Sequence, residues 1–286
     1  MAGPLLAVDA PSLMYRAFFA LPTSIKGTIQ GKQARPVNAL LGCANQVLWA
    51  IERHAPRAVV LCFGAEAALY RKELYPAYHA DRPEMPADLE LQWRDAPPFF
   101  NAFGWPSVGH DTLEADDLLG SYARAEVEAG GEALLFTGDR DMFQCVGDRV
   151  RVLFPGGADG PTVIDADVVR ERYGVEPSQV PDFIALRGDP SDGLPGAKGI
   201  GEKGAAALLR EYGDLETLIA KADELKPRAA TAMREQAEEL RTFKEVATLV
   251  YIPVDLPEDK AIDGATAAEA ALARGMKRLA DRLTQL

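Results

Sequence analysis

The sequence is short of cysteine and histidine, with three of each among 286 residues. Cys43, Cys62 and Cys145 stand far apart among apolar neighbours. A disulfide framework is thereby excluded, and reduced core residues in a cytosolic protein are expected. No cysteine–histidine cluster has the spacing of a zinc site. No apolar run reaches the ~18 residues that a membrane span needs. The N-terminus lacks the basic segment and the apolar length of a signal peptide, so no targeting segment is expected. Basic charge is scarce as well, with 31 Lys and Arg against 43 Asp and Glu, a net charge of −12. Taken alone, that balance argues against a nucleic-acid partner, because phosphate binding rewards clustered Lys and Arg. The argument weakens if many of the acids face bound cations.

What is there reads as a folded chain with room for a sizeable core, 48% hydrophobic and 26% charged. The first half alternates two kinds of segment. Short apolar runs at Leu5–Val8, Ala58–Phe63 and Ala133–Thr137 read as buried strands. Helical spacing covers Pro36–His54 and Glu114–Ala129. Arg149–Phe154 and Thr162–Ile164 flank a Gly/Pro/Asp turn and read as a hairpin. Alternation of this kind predicts an α/β domain with a mostly parallel sheet. Beyond about residue 165 only helical patterns remain, over 166–173, 177–187, 202–212, 231–250 and 265–284. The chain is therefore divided near residue 175, into an α/β domain over 1–175 and a helical domain over 176–286. Residues 65–100 break the alternation with a basic and aromatic insertion around Tyr70-Arg71-Lys72 and Tyr78-His79. Insertions of that length in a compact domain are functional or disordered, and the aromatic content favours function.

Acids collect where an open α/β sheet binds ligands, at the carboxyl ends of its strands. Asp9 follows the first strand, and Asp139 and Asp141 follow a later one in Thr137-Gly-Asp-Arg-Asp141. Glu114-Ala-Asp-Asp117 opens a helix, and Asp189 and Asp192 open the helical half. Any one group has a structural explanation, as a partner for a helix dipole or a turn. Four groups so placed point to cations, because carboxylates crowded together repel. Oxygen ligands suit Mg²⁺ or Mn²⁺. Two ions about 4 Å apart can activate water and stabilise the leaving oxygen of a phosphodiester. A second feature is Leu194-Pro-Gly-Ala-Lys-Gly-Ile-Gly-Glu-Lys-Gly204. Gly199 and Gly201 precede a helix whose free N–H groups can meet a phosphate, with Lys198 and Lys203 beside them. The competing explanation is a plain helix–helix turn.

Five stretches, in order, resemble the 5′ nucleases, the flap endonuclease family. In particular they resemble the N-terminal 5′-3′ exonuclease domain of bacterial DNA polymerase I and its stand-alone relatives. They are Val8–Pro22, Tyr78–Pro86, Leu113–Leu118, Thr137–Met142 and Leu186–Gly204. The resemblance implies a Rossmann-like (PIN-like) α/β fold with a helical arch at about 65–100 and a helix–three-turn–helix module. It places Asp9, Glu114, Asp116, Asp117, Asp139, Asp141, Asp189 and Asp192 on metal-binding positions. Arg82, His79 and Arg71 fall on catalytic arch positions. Arg16, Lys198, Gly199, Gly201, Lys203 and Gly204 fall on DNA-binding positions. Two or more Mg²⁺ or Mn²⁺ ions are implied, with K⁺ held by carbonyls of the glycine hairpin. The implied reaction is hydrolysis of DNA at 5′ flaps and 5′ ends during replication and repair. The implied enzyme is a monomer, nucleoid-associated in the cytoplasm, with no attached polymerase. Setting those eight acids aside from 43 leaves 35 against 31 basic residues, which removes most of the charge conflict.

Two positions depart from the pattern. Gly64 stands where the family carries an aspartate, and His79 where it carries a lysine. The alternative they raise is a structure-specific DNA-binding protein with weak or no nuclease activity. A metabolic phosphatase is a third reading, but it leaves the glycine hairpin and the basic-aromatic insertion without a role. His54 and His110 receive no role. Trp49 and Trp105 are expected in the core, and Trp93 is assigned to neither core nor arch.

Overall fold

The computed structural model describes residues 3–156 and 160–286. The centre of the expected Gly/Pro/Asp turn, residues 157–159, lies outside the described residues. The first half runs β1 (Leu5–Asp9), α1 (Ala10–Ala20), β2 (Lys26–Ile29), β3 (Lys32–Pro36), α2 (Asn38–His54), β4 (Ala58–Cys62), α3 (Leu69–Leu74) and α4 (Ala87–Asn101). It continues through β5 (Ser107–Val108), α5 (Ala115–Glu128), β6 (Ala133–Phe136), β7 (Val150–Phe154) and β8 (Thr162–Ile164). The rest is helical: α6 (Ala166–Tyr173), α7 (Val180–Arg187), α8 (Glu202–Tyr212), α9 (Leu215–Ala220), α10 (Pro227–Glu235), α11 (Ala237–Ala247), α12 (Gly264–Ala273) and α13 (Lys277–Leu283).

Six strands form one sheet in the order β5-β4-β1-β6-β7-β8, parallel except for the final β7–β8 pair. Both faces are covered, so β1 and β4 are apolar at nearly every position and buried throughout. Leu5 and Ala7 point into one core, and Leu6 and Val8 into the other. From β1 the chain first builds outward to β4 and then returns to place β6 on the opposite side. The switch point between β1 and β6 is where such a sheet opens a crevice.

The expected strands and the hairpin are present, with shifts of a residue or two at their ends. Two long helical readings divide. Residues 231–250 split at Gln236, and 265–284 split at Gly275, whose φ of 77° breaks the helix. Several elements escaped the pattern, among them the short α3, β5 and α9. Helix α1 starts at Ala10, with Pro11 in its first turn and Asp9 as its cap. The β2–β3 hairpin turns through Gln30 and Gly31, both at positive φ, and carries little apolar alternation. Helix α4 contains Pro97 and Pro98, yet Phe99 and Phe100 beside them are fully buried. Core packing there outweighs the proline penalty. Of the 65–100 insertion, α4 packs into the core, and the stretches that line the crevice are Ala65–Glu66 and Arg82–Pro86, with Trp93 of α4.

The two halves share their packing. One core continues from the sheet through α5 into α7, α8 and α11. The other holds α1, α2, α4, α12 and α13, so the end of the chain returns to the first half. Residues 248–263 make that return without helix or strand. They are pinned where Val250 N donates to Asp117 Oδ1 at 3.0 Å, Ile252 N to Ser121 Oγ at 3.0 Å and Lys260 N to Arg57 O at 2.9 Å. Among the described residues, no helix is long and apolar enough to cross a membrane.

Candidate active site

The crevice is assembled from turns that local hydrogen bonds fix. Asp9 ends β1 and caps α1, accepting from Ser12 N at 2.9 Å. Its other oxygen accepts from Thr137 Oγ1 at 2.6 Å, which ties the end of β1 to that of β6. Asp139 folds the next turn by accepting from Asp141 N at 2.8 Å. Helix α5 opens with a capping box between Glu114 and Asp117, which leaves Asp116 facing the crevice.

Asp9, Glu114, Asp116 and Asp139 form the floor of a cleft of about 530 Å³. Tyr15, Phe19, Met85, Pro86 and Trp93 line its sides. None of these apolar residues was assigned to a site from the sequence: Tyr15 and Phe19 lie on α1, which the pattern did not reveal, and Met85 and Pro86 lie in the insertion. Asp9 is buried, whereas Asp116, Asp139 and Asp141 are partly open to solvent. Among the described residues, none of these four forms an ion pair; the nearby pairs involve Glu114, Asp117, Asp189 and Asp192. Burial lifts the Asp9 carboxyl to about 6, with the Glu114 charge adding, and hydrogen bonds from Thr137 and Ser12 opposing. Burial also lifts Asp139 to about 6, and the charges of Asp192, Asp9 and Asp189 add to it. Asp116 and Asp141 stand well above the ordinary carboxylate range, through burial first and neighbouring acids second.

Two of the expected site residues are committed elsewhere. Asp117 is fully buried, accepting from both terminal nitrogens of Arg71 at 2.9 and 3.0 Å and from Tyr70 OH at 3.1 Å. It faces the base of the insertion, not the cleft. Arg71 is only 4% exposed and also donates to Glu114 Oε1 at 2.9 Å and Val246 O at 2.9 Å. Enclosed in this way it orients Glu114, and it lines the same small pocket as His79, Asp116 and Asp141. Ala68 N and Tyr78 OH hold the same carboxylate, at 2.7 and 3.1 Å.

His79 sits at φ 55°, stacked on Tyr78 with centroids 4.0 Å apart. Its Nε2 lies 3.0 Å from Asp192 Oδ1 and its Nδ1 3.1 Å from Glu66 O. Both ring nitrogens face oxygen atoms. Arg82 donates to Glu66 O at 2.9 Å and is otherwise exposed at the cleft. Asp189 and Asp192 lie in a tight loop closed by paired bonds between Asp189 and Leu194, both 2.8 Å. Asp189 receives Arg187 Nη2 at 3.0 Å.

Gly64 is not an empty place awaiting a carboxylate. A Cβ there would lie 2.5 Å from Ala115 N and 2.6 Å from Leu113 O. The backbone has closed against the start of α5. The glycine hairpin precedes α8, with Gly201 as the N-cap and Lys198, Lys203 and Gly204 exposed. Gly199, at φ 79°, lies directly under the Arg228 guanidinium, a basic group absent from the sequence reading. Arg16 is exposed on α1 and donates to Gly156 O at 3.3 Å.

The donor set suits a hard divalent cation. It is all carboxylate and partly screened from water. Among the described residues, no three acids, histidines or cysteines are gathered closely enough to hold a metal ion by themselves. An ion that keeps several waters needs fewer direct protein ligands.

Family models match almost the whole chain. The 5′-3′ exonuclease N-terminal resolvase-like domain covers residues 4–174 and the C-terminal SAM fold covers 175–268. DNA polymerase I of Chloroflexus aurantiacus is 38% identical over 262 residues, covering 90% of this chain and 27% of its own length. The thermostable DNA polymerase I of Thermus thermophilus is 38% identical over 265 residues, covering 91% of this chain and 31% of its own length. The chain thus spans under a third of these polymerases. A 5′-3′ exonuclease of Streptomyces coelicolor is 37% identical over 268 residues, covering 88% of this chain and 87% of the relative. In fold, T5 5′-exonuclease with bound zinc matches at TM-score 0.71 and 17% identity, covering 99% of this chain and 97% of its own. The catalytic core of Rad2 in complex with DNA substrate matches at TM-score 0.63 and 14% identity, covering 99% and 92%. The chain belongs to the 5′-3′ exonuclease family.

Proposed function

We propose that this chain is a structure-specific 5′ nuclease that hydrolyses DNA phosphodiesters at 5′ flaps and 5′ ends, in replication and repair. One observation carries the reading. Four crowded carboxylates, Asp9, Asp116, Asp139 and Asp141, lack cationic partners among the described residues at the switch point of the sheet. A catalytically silent DNA-binding protein needs no such arrangement.

In this reading Asp9, Asp116, Asp139 and Asp141 hold Mg²⁺ or Mn²⁺, with Glu114, Asp189 and Asp192 at the margin. Bound ions supply an activated water and neutralise the leaving oxygen. Arg82 binds the phosphate that enters the cleft. Tyr15, Phe19 and Trp93 offer faces to an unstacked base. Residues 65–86 confine the single strand. Lys198, Lys203, Arg228 and the N-terminus of α8 grip the duplex backbone, with K⁺ at the hairpin carbonyls. The protein acts as a monomer in the cytoplasm.

The test is a labelled 5′-flap duplex incubated with Mg²⁺ or Mn²⁺, beside Asp139→Asn. Cleavage near the junction is expected with either metal and none with chelator. The variant should lose on the order of 100-fold in rate while keeping DNA affinity within a few-fold. DNA binding without cleavage under any metal would establish the silent alternative.

A further inference from the structure

The acids of the site differ in what neutralises them. Asp9, Asp116, Asp139 and Asp141 have no ion-pair partner among the described residues, whereas Asp189 has Arg187. Arg187 closes α7, and its guanidinium lies 5.3 Å from the centroid of the Phe183 ring, one turn back in the same helix. From there Nη2 reaches Asp189 Oδ2 at 3.0 Å. The other oxygen of Asp189 accepts from Ser191 N at 2.9 Å and from the Ser191 hydroxyl. Both oxygens are therefore engaged before any ion arrives. Asp192, the other acid of this loop, has Oδ1 hydrogen-bonded to His79.

We propose that Arg187 is a built-in counter-cation that sets the affinity of the outer carboxylates, Asp189 with Asp141, for a second divalent ion. The proposal rests on the metal-dependent reading above and goes beyond it, to the order in which ions bind. Asp139, Arg140, Asp141, Arg187 and Asp189 line one open pocket of about 330 Å³. An ion entering there must displace the guanidinium or sit close to it. At such distances, like charges repel strongly inside a protein. The guanidinium is not held by a full set of bonds, since its Nε is buried without a partner. It is held by charge and by stacking, so it opposes the ion without excluding it. At Asp9, Asp116 and Asp139 no guanidinium stands within ion-pair distance among the described residues, Arg82 and Arg71 acting on them only from farther away. The first ion therefore binds among these inner acids, and the outer ion binds more weakly.

The experiment is calorimetric titration of the full chain with Mn²⁺ alone. The wild type should take one ion tightly and a second at least about ten-fold more weakly. Arg187→Gln and Arg187→Met should tighten the outer ion roughly ten-fold and leave the inner one unchanged. The methionine variant keeps an apolar stem against Phe183, which guards against misfolding. Two equally tight ions in the wild type, or an unchanged outer ion in both variants, would overturn the proposal. The wild-type isotherm decides by itself if neither variant folds. Asp139→Asn should weaken the inner ion. Absence of any tight ion in the wild type, with Asp139→Asn indistinguishable from it, sinks the metal-dependent reading as well.

Discussion

Asp116 and Asp117 are neighbours in one helical turn with opposite fates. Asp117 is sealed against Arg71 with no exposure at all. Asp116 faces the crevice among other acids, with no ion-pair partner among the described residues. The same contrast divides the molecule. Away from the crevice, buried acids have cations: Glu126 has Arg57, Asp95 has Arg274 and Asp182 has Lys244. Each joins segments distant in sequence. At Asp9, Asp116, Asp139 and Asp141 no ion pair of that kind forms among the described residues. A chain selected for stability alone has no reason to treat the two regions differently, and a bound cation supplies the reason.

The largest effect expected from this comparison lies on the paired side. Arg71→Gln leaves Asp117 buried and unpaired and frees Glu114. A loss of about 3–5 kcal/mol is expected from breaking one side of a buried pair. Denaturant unfolding measures it. The double variant Arg71→Gln/Asp117→Asn should recover part of the loss, because no lone charge remains. Should Arg71→Gln be as stable as the wild type, the paired region is not structural and the contrast collapses.

On the unpaired side the sign reverses. Asp9 and Asp139 have carboxyls raised to about 6 in the folded protein, against about 3.9 for an exposed aspartate. The folded state thus binds protons more tightly than the unfolded chain. Their contribution is fully present below pH of about 4 and is lost as pH rises through about 6. Metal-free protein should lose on the order of 1–3 kcal/mol from this source between pH 5 and 7.5. Mg²⁺ replaces the missing protons, so the rise in melting temperature on adding Mg²⁺ should be larger at pH 7.5 than at pH 5. Thermal melts with and without chelator measure both slopes. A Mg²⁺ shift independent of pH would place the ions away from Asp9 and Asp139.

Much of this was legible in the sequence, because the crevice is built from local signals. Apolar runs ending in Asp9 and in Gly138-Asp139 mark strand ends, and Glu114–Asp117 marks a helix start. Those signals give the positions of the acids but not their partners. Nothing near Asp117 in sequence announces Arg71, 46 residues away, or Val250 N, 133 residues away. Asp116 and Asp117 therefore looked equivalent until tertiary contacts separated them. Helix α4 was hidden for a related reason, since two prolines argue locally against the helix that Phe99 and Phe100 stabilise by burial.

Gly64 tests the boundary between the two regions at the smallest scale. As a sequence, Phe63-Gly64 looks like a metal site with one ligand deleted. In the structure, the Gly64 backbone lies so close to Leu113, Glu114 and Ala115 that no side chain fits between them. The contacts are with backbone, which cannot swing aside as a side chain can. Gly64→Ala should therefore cost about 1–3 kcal/mol by overpacking, although it adds only one methyl group. It should also shift the start of α5, and with it Glu114 and Asp116. Gly64→Asp should destabilise at least as much and should not raise the cleavage rate. If Gly64→Asp is as stable as the wild type and cleaves faster, the backbone has room that the structure does not show, and the crevice does lack a ligand. If both variants lose stability while cleavage falls, the glycine is part of how this chain aligns its remaining acids.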